Sequence, residues 1–386
     1  MMRASVIIRS KDEADRLRLT LASLAVQSVP VEIVVVNDGS SDHTRAVLAE
    51  AVRAGPLTIL HHETAQGRSA ASNAGARATT GDLLIFLDGD TLAAPDMVEQ
   101  HLAAHEAHPG EMLVGRGGRF HFRGTRFLLD PEAGTPRPGE EAHVARMSAA
   151  ERARSAVTVA EIRDNFESLA RRASPGLYPG AGPALLEELE NDALRHHPEC
   201  KVLWAAACGA NFSVRRDAFF AAGGLFNAID NNEHRAFALR MVKHGARMAP
   251  MESARAYHMT HRRGWRDPLL NTNWEHVFYA EHPEPAVKLL SVFWSCLAPN
   301  APIAPEARIE SLPALAAAAR GDNGVDYDEV RRQLGLRLRV VDRAGAVGQR
   351  LLGGTLGFLG LGLVEVLAAD RGVGQHGDEV RLHLED

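Results

Sequence analysis

Four short apolar runs fall in the N-terminal quarter of the chain: Val6-Ile7-Ile8, Ile33-Val34-Val35-Val36, Leu57-Thr58-Ile59-Leu60 and Leu83-Leu84-Ile85-Phe86-Leu87. They are continuously apolar, whereas a strand with one wet face would alternate. Such runs suit a parallel sheet covered by helices on both faces. The intervening segments agree with this. Leu17, Leu21 and Leu24 recur at helical spacing, Thr44 to Arg53 follows the candidate cap Asp42 and stops at Gly55-Pro56, and Ser69 to Thr79 is Ala-rich. The pattern is α/β.

In such sheets ligands gather just beyond the carboxyl ends of the strands. Here those ends are Arg9 to Asp12, Asn37 to Ser40 and Asp88 to Asp90, all polar. Asp88-Gly89-Asp90 places two carboxylates one residue apart, so both can face one hard cation such as Mg²⁺ or Mn²⁺. A turn of solvated aspartates is the bland alternative. A haloacid-dehalogenase-type phosphatase motif would need Thr or Val at the fifth position, where Leu92 stands.

The chain has 386 residues with 43 Lys and Arg against 49 Asp and Glu, a net charge of −6. At roughly 100–200 residues per domain, two or three packed units are expected, or one large α/β domain with an appendage. A net negative chain offers no electrostatic case for nucleic-acid binding. Three cysteines (Cys200, Cys208, Cys296) form neither a disulfide framework nor a metal cluster. With no secretory signal at the N-terminus, a cytoplasmic location is expected. The glycine-rich stretch Leu351 to Ala369 is borderline in length for a bilayer span; it reads as a buried helix or as a peripheral membrane contact.

Four motifs in order resemble those of a family 2 glycosyltransferase with the GT-A fold of bacterial type. They are Ser5 to Glu13, Val34 to Asp42, Gly67 to Gly75, and Gly81-Asp82 to Asp90. The resemblance implies a Rossmann-like, mostly parallel sheet flanked by helices, with an insertion and a mainly helical C-terminal extension. It covers about residues 4–125 and 204–264. The implied halves are 1–125 for the nucleotide sugar and 126–264 for the acceptor, with an insertion at about 126–203, then the extension 265–386. The implied function is metal-dependent, inverting transfer of a hexosyl-type sugar from a nucleotide-diphosphate sugar, UDP-sugar favoured, to an acceptor hydroxyl. The acceptor, whether glycan, lipid, peptide or small metabolite, is open, and a homodimer is allowed. Asp88, Asp90 and His258 are the implied metal ligands, His258 being preferred to His261. Donor contacts fall to Arg9, Ser10, Lys11, Glu13, Asp38, Arg68, Asn73, Asp88, Gly89 and Asn211. Ser72 stands where relatives often carry Arg, which leaves phosphate contact to Arg68.

Glu233-His234 stands where the family usually has Glu-Asp and a carboxylate deprotonates the acceptor. Glu233 is the first choice of base, His234 the second, and another group such as Asp230 the third. The Ser72 and His234 departures also motivate a competing class, a degenerate nucleotide-sugar-binding scaffold without turnover. A sugar-phosphate nucleotidyltransferase would want a glycine-rich loop after the first strand, and Arg9 to Glu13 has no glycine. His101, His105 and His108 lack the zincin glutamate and read as one solvated helix face. Arg152, Arg154, Arg163, Arg171 and Arg172 read as salt-bridged helices. The aromatics Trp265, Trp274, Phe278, Phe293 and Trp294 read as core or a dimer interface rather than an acceptor wall.

Overall fold

Phe86 of β4 (Leu83–Asp88) and Phe212 of β7 (Asn211–Arg215) face each other in register and stack at 4.6 Å. This contact joins the parallel part of the sheet to its antiparallel part. The computed structural model describes residues 2–114, 157–173, 175, 185–259, 273–298 and 300–336, all within the compact unit Met1–Val341. The strands are β1 (Ala4–Ser10), β2 (Glu32–Asp38), β3 (Thr58–His62), β4 (Leu83–Asp88), β5 (Thr91–Ala93), β6 (Glu111–Val114), β7 (Asn211–Arg215), β8 (Arg247–Pro250) and β9 (Ala256–His258). The main sheet runs β3-β2-β1-β4-β7-β6-β8, with β7 antiparallel to both its neighbours and the other pairs parallel. β5 and β9 pair antiparallel in a separate ribbon.

Alternate residues of the central strands feed two cores. Ile7, Leu84 and Phe86 enter one; Val6, Ile8, Ile85 and Leu87 enter the other. Both faces are therefore dry, which is why the runs do not alternate. The second face is covered by α1 (Ala14–Leu24), α2 (Thr44–Ala54), α4 (Met97–Ala107), and the short α5 (Val159–Asp164) and α6 (Phe166–Arg172). The N-cap of α2 is His43, not Asp42 as expected; Asp42, one residue earlier, accepts from the Thr44 amide and also from the Ala14 amide, so one carboxylate ties the starts of α1 and α2.

The first face holds α3 (Arg68–Ala78), α7 (Leu185–His196), α8 (Arg216–Ala221) and α9 (Glu233–Lys243). It also holds α10 (Asn273–Glu281), α11 (Pro285–Ser295), α12 (Leu312–Arg320) and α13 (Tyr327–Gln333). Trp274, Phe278, Phe293 and Trp294 are buried in this core, beside Trp204. The α/β class, the mostly parallel sheet flanked by helices and the helical C-terminal region are thus all present. Arg172 pairs with Glu161 and Arg171 with Glu167, the ion pairing expected of those helices. Trp265, His261, Arg152, Arg154 and the stretch Leu351 to Ala369 lie outside the described residues. Among the described residues no helix is long and apolar enough to cross a membrane.

A buried fork holds the last helix. Arg331 donates to both oxygens of Glu275, at 2.7 and 3.0 Å, and Ser291 donates to the same carboxylate. Arg331→Met would leave the Glu275 charge buried with its main partner gone. Urea unfolding should then show a loss of about 3–5 kcal/mol; a loss below about 1 kcal/mol would mean that solvent reaches the carboxylate.

Candidate active site

The strand order reverses between β1 and β4, so a crevice opens at their carboxyl ends. Arg9 and Asp88 are register partners there. Arg9 Nε donates to Asp88 Oδ1 at 3.2 Å, while Nη1 donates to Glu233 Oε1 at 2.6 Å. One guanidinium thus bridges the end of β4 to the first residue of α9. Asn232, at φ +62°, turns the chain so that Glu233 starts the helix pointing inward; Asn tolerates this left-handed conformation better than most residues. Ile7, Ser72, Phe86, Gly209, Phe212 and His234 also line the pocket around this bridge.

The electrostatics follow from the bridge. Burial works against the Arg9 charge, but Glu233 and Asp88 outweigh it and raise its pKa. Burial alone would raise Glu233; Arg9, with His234 and Arg68, instead holds it well below the carboxylate range. His234 is pushed down by burial and by Arg235 and Arg9, against the pull of Glu233. Arg235 Nη1 lies 2.9 Å from His234 Nε2. A guanidinium can only donate, so Nε2 accepts and the neutral ring carries its hydrogen on Nδ1. That Nδ1 is 3.9 Å from Glu233 Oε2, and neither buried atom has a hydrogen-bond partner among the described residues.

Beside this pocket lies the carboxylate turn. Thr91 pairs with His258 across the β5–β9 ribbon, which carries the histidine to the turn. His258 Nε2 is 3.1 Å from Asp90 Oδ1. Asp88, Asp90 and His258 each offer one donor atom, all within 4.8 Å of one another. Two carboxylates and an imidazole so gathered fit a divalent cation such as Mn²⁺ or Mg²⁺. A Cβ at Gly89 would stand 2.2 Å from Glu13 Oε1, so a side chain there would displace the Glu13 carboxylate. Glu13 thus sits under the turn, where burial and the charges of Asp90 and Asp88 push it up to about 8, against Arg16 and Ser10.

Comparison with known proteins bears on the N-terminal part of the chain. Residues 5–155, less than half of the chain, match the family model of glycosyl transferase family 2. The resemblance to family 2 glycosyltransferases belongs to this segment. The chain is 35% identical over 116 residues to an uncharacterized glycosyltransferase, YfnE, of Bacillus subtilis, covering 30% of each chain. It is 37% identical over 116 residues to validoxylamine A glucosyltransferase of Streptomyces hygroscopicus subsp. jinggangensis, covering 29% of this chain and 28% of that one. The match thus spans about a third or less of these relatives' length. Among solved structures, S. aureus TarS 1-349 aligns with a TM-score of 0.48 at 15% identity, covering 87% of this chain and 79% of that one.

Other residues singled out in the family 2 segment, and Asn211 beyond it, are placed more internally. Asp38 accepts from the amides of Gln66 and Gly67 and from His62 Nδ1. Asp230 accepts from the Arg68 amide. Protein carboxylates therefore fill the N-terminus of α3, where a phosphate could otherwise bind. Asn73 clasps the backbone of Leu225 through both ends of its amide, joining α3 to the loop after α8. Ser10 is buried, Lys11 is exposed, and Arg68 projects its charge to Glu233. Arg235 went unnoticed in the sequence; an arginine directly after Glu233-His234 was the available signal.

The solvated-face reading of His101 and His105 is overturned, although His108 is exposed. Both rings are buried behind the site. His101 Nε2 donates to Asn211 Oδ1 at 2.9 Å, its Nδ1 is 2.8 Å from Ser213 Oγ, and His105 Nε2 is 2.9 Å from the same hydroxyl. Asn211 also donates to the Ala254 carbonyl, so it is a strut rather than a pocket wall. The cause is the antiparallel strand β7, whose polar residues face α4 and need partners. Burial lowers His101 to about 3 and His105 to about 4. Their folded pKa values lie below the unfolded value near 6.5. The stability they confer is complete above pH 6.5 and lost as pH falls towards 4 and 3. Each contributes a slope of at most about 1.4 kcal/mol per pH unit in that window. Urea unfolding between pH 7 and 5 should show this slope, and His101→Gln should flatten it; an unchanged slope would count against His101.

Proposed function

We propose that this chain is a metal-dependent, inverting glycosyltransferase that uses a nucleotide-diphosphate sugar, a UDP-sugar by preference, and an acceptor hydroxyl. The observation that carries this reading is the adjacency of two charged groups at one sheet switch point. A candidate metal site (Asp88, Asp90, His258) lies beside a buried carboxylate (Glu233), with Arg9 joining them. The N-terminal location of the family 2 segment and a relative named for glucosyl transfer support it. A divalent cation at that site would neutralise the leaving diphosphate.

The residues of the chain then have distinct tasks. Asp88 and Asp90, with His258, would hold the cation. Lys11 and Arg68 offer further positive charge towards the diphosphate, which the filled N-terminus of α3 does not. Glu233 takes the proton of the acceptor hydroxyl on Oε2. As that oxygen bonds to the anomeric carbon, the bond from that carbon to the diphosphate oxygen breaks and the nucleoside diphosphate departs with the electron pair. A carboxylate held low by Arg9 is a weak base, yet it is always ionised. It suffices when the proton leaves late, after the forming bond has made the hydroxyl acidic. His234, neutral and with Nε2 engaged, is the poorer base.

Hydrolysis of UDP-glucose with Mn²⁺, water serving as acceptor, tests the assignment. Asp90→Asn should abolish metal-dependent turnover. Glu233→Gln should lower the rate about 10²–10⁴-fold, and the rate of the unaltered protein should not titrate with a histidine. Intact turnover in Glu233→Gln, with loss in His234→Ala and a rate rising through a pH range below the ordinary histidine value, would make His234 the base. Metal-dependent binding of nucleotide without turnover towards any acceptor would instead favour the scaffold reading.

A further inference from the structure

We propose that His234 is a hydrogen-bond donor to the attacking oxygen of the acceptor, held in that role by the positioning residue Arg235. The proposal rests on the transferase reading for the identity of the oxygen, and on geometry alone for the state of the ring.

Arg235 is almost fully buried and every arm of its fork is occupied. Nε donates to the Ala205 carbonyl at 2.7 Å, and Nη2 donates to Glu190 at 2.8 Å. Nη1 donates to Asn232 Oδ1 at 2.8 Å and to His234 Nε2 at 2.9 Å, while the guanidinium carbon lies 5.2 Å from the centre of the Trp294 ring. The guanidinium is thus fixed by α7, α11 and the turn before β7, and it has no freedom to become an acceptor. It compels Nε2 to accept and Nδ1 to keep its hydrogen.

The Nδ1–H and Glu233 Oε2 are 3.9 Å apart, buried, and each lacks a hydrogen-bond partner among the described residues. An unmet donor and an unmet acceptor at that separation fit one hydroxyl. An oxygen about 2.8 Å from each closes the triangle, accepting from Nδ1–H and donating to Oε2. Gly209 borders that place: a Cβ there would lie 3.1 Å from His234 Nδ1 and 3.5 Å from Arg9 Nη2 and would crowd it. An Asp in place of His234 would offer only acceptors and could not make this pair of bonds. The ring therefore selects a hydroxyl whose lone pair and proton are both presented to the cleft.

Long-range ¹H–¹⁵N correlation spectra of the full chain labelled at histidine test the first half. His234 is assigned as the signal missing from His234→Asn among the 18 histidines. At pH 7.5 the ring should be protonated on Nδ1 alone, and Arg235→Met should move the hydrogen towards Nε2. A ring protonated on Nε2, doubly protonated, or unaltered in Arg235→Met would overturn the proposal. Should Arg235→Met fail to fold, the wild-type tautomer still decides. UDP-glucose hydrolysis with Mn²⁺ tests the second half. His234→Asn, whose amide nitrogen falls near the place of Nδ1, should keep the rate within about tenfold, while His234→Ala should lose about 10–100-fold more. Equal rates in these two variants would overturn the donor role. A wild-type chain inert towards UDP-, GDP- and dTDP-sugars would sink the transferase reading and the acceptor role together, whereas a working enzyme with the wrong tautomer would sink this proposal alone.

Discussion

A single guanidinium sets the character of the cleft. Arg9 comes from the middle of the sheet, yet its partners Asp88 and Glu233 come from opposite sides of the pocket and from segments far apart in sequence. Without it, burial would push the Glu233 carboxylate to take up a proton. With it, Glu233 stays ionised and the start of α9 is drawn against the ends of β1 and β4. The remaining contacts around the site extend the same connection. Asn73 clasps Leu225, Asp230 receives the amide of Arg68, and Asp38 fixes the approach to α3. The result is a cleft whose walls are pre-assembled, as positioning of reacting groups requires.

The C-terminal helices reach this cleft through Arg235. Trp294 packs on its guanidinium, Glu190 pairs with it, and its remaining bonds go to Asn232, His234 and the Ala205 carbonyl. Trp274, Phe278, Phe293 and Trp294 are core, so their contribution to the site is indirect and works through rigidity.

Much of the framework was legible in the residues themselves. Runs such as Ile33 to Val36 are buried on both faces, and a strand with that environment has one reading. The carboxylate turn was legible because its chemistry is local: Asp88, Gly89 and Asp90 are adjacent. His258 needed the resemblance as well, since a ribbon between β5 and β9 brings it there. The buried network of His101, His105, Asn211 and Ser213 was not legible. Histidines three and four residues apart look alike on a wet or a dry helix face, and the polar face of β7 that claims them is more than a hundred residues away. The same holds for Arg9. Its place after β1 was evident, but the choice of Glu233 as partner depends on how α9 docks. Asp38 and Asn73 show the converse: polar residues at a site's edge can be spent on holding its loops.

Proton NMR of the anomeric signals during cleavage of α-linked UDP-glucose, with Mg²⁺ present and water as acceptor, tests the central claim most directly. Direct in-line displacement assisted by Glu233 releases the β-anomer first, with the α-anomer appearing only as the free sugar equilibrates. Release of the α-anomer first would mean retention, and would contradict a mechanism in which Glu233 activates the acceptor for a single inverting displacement.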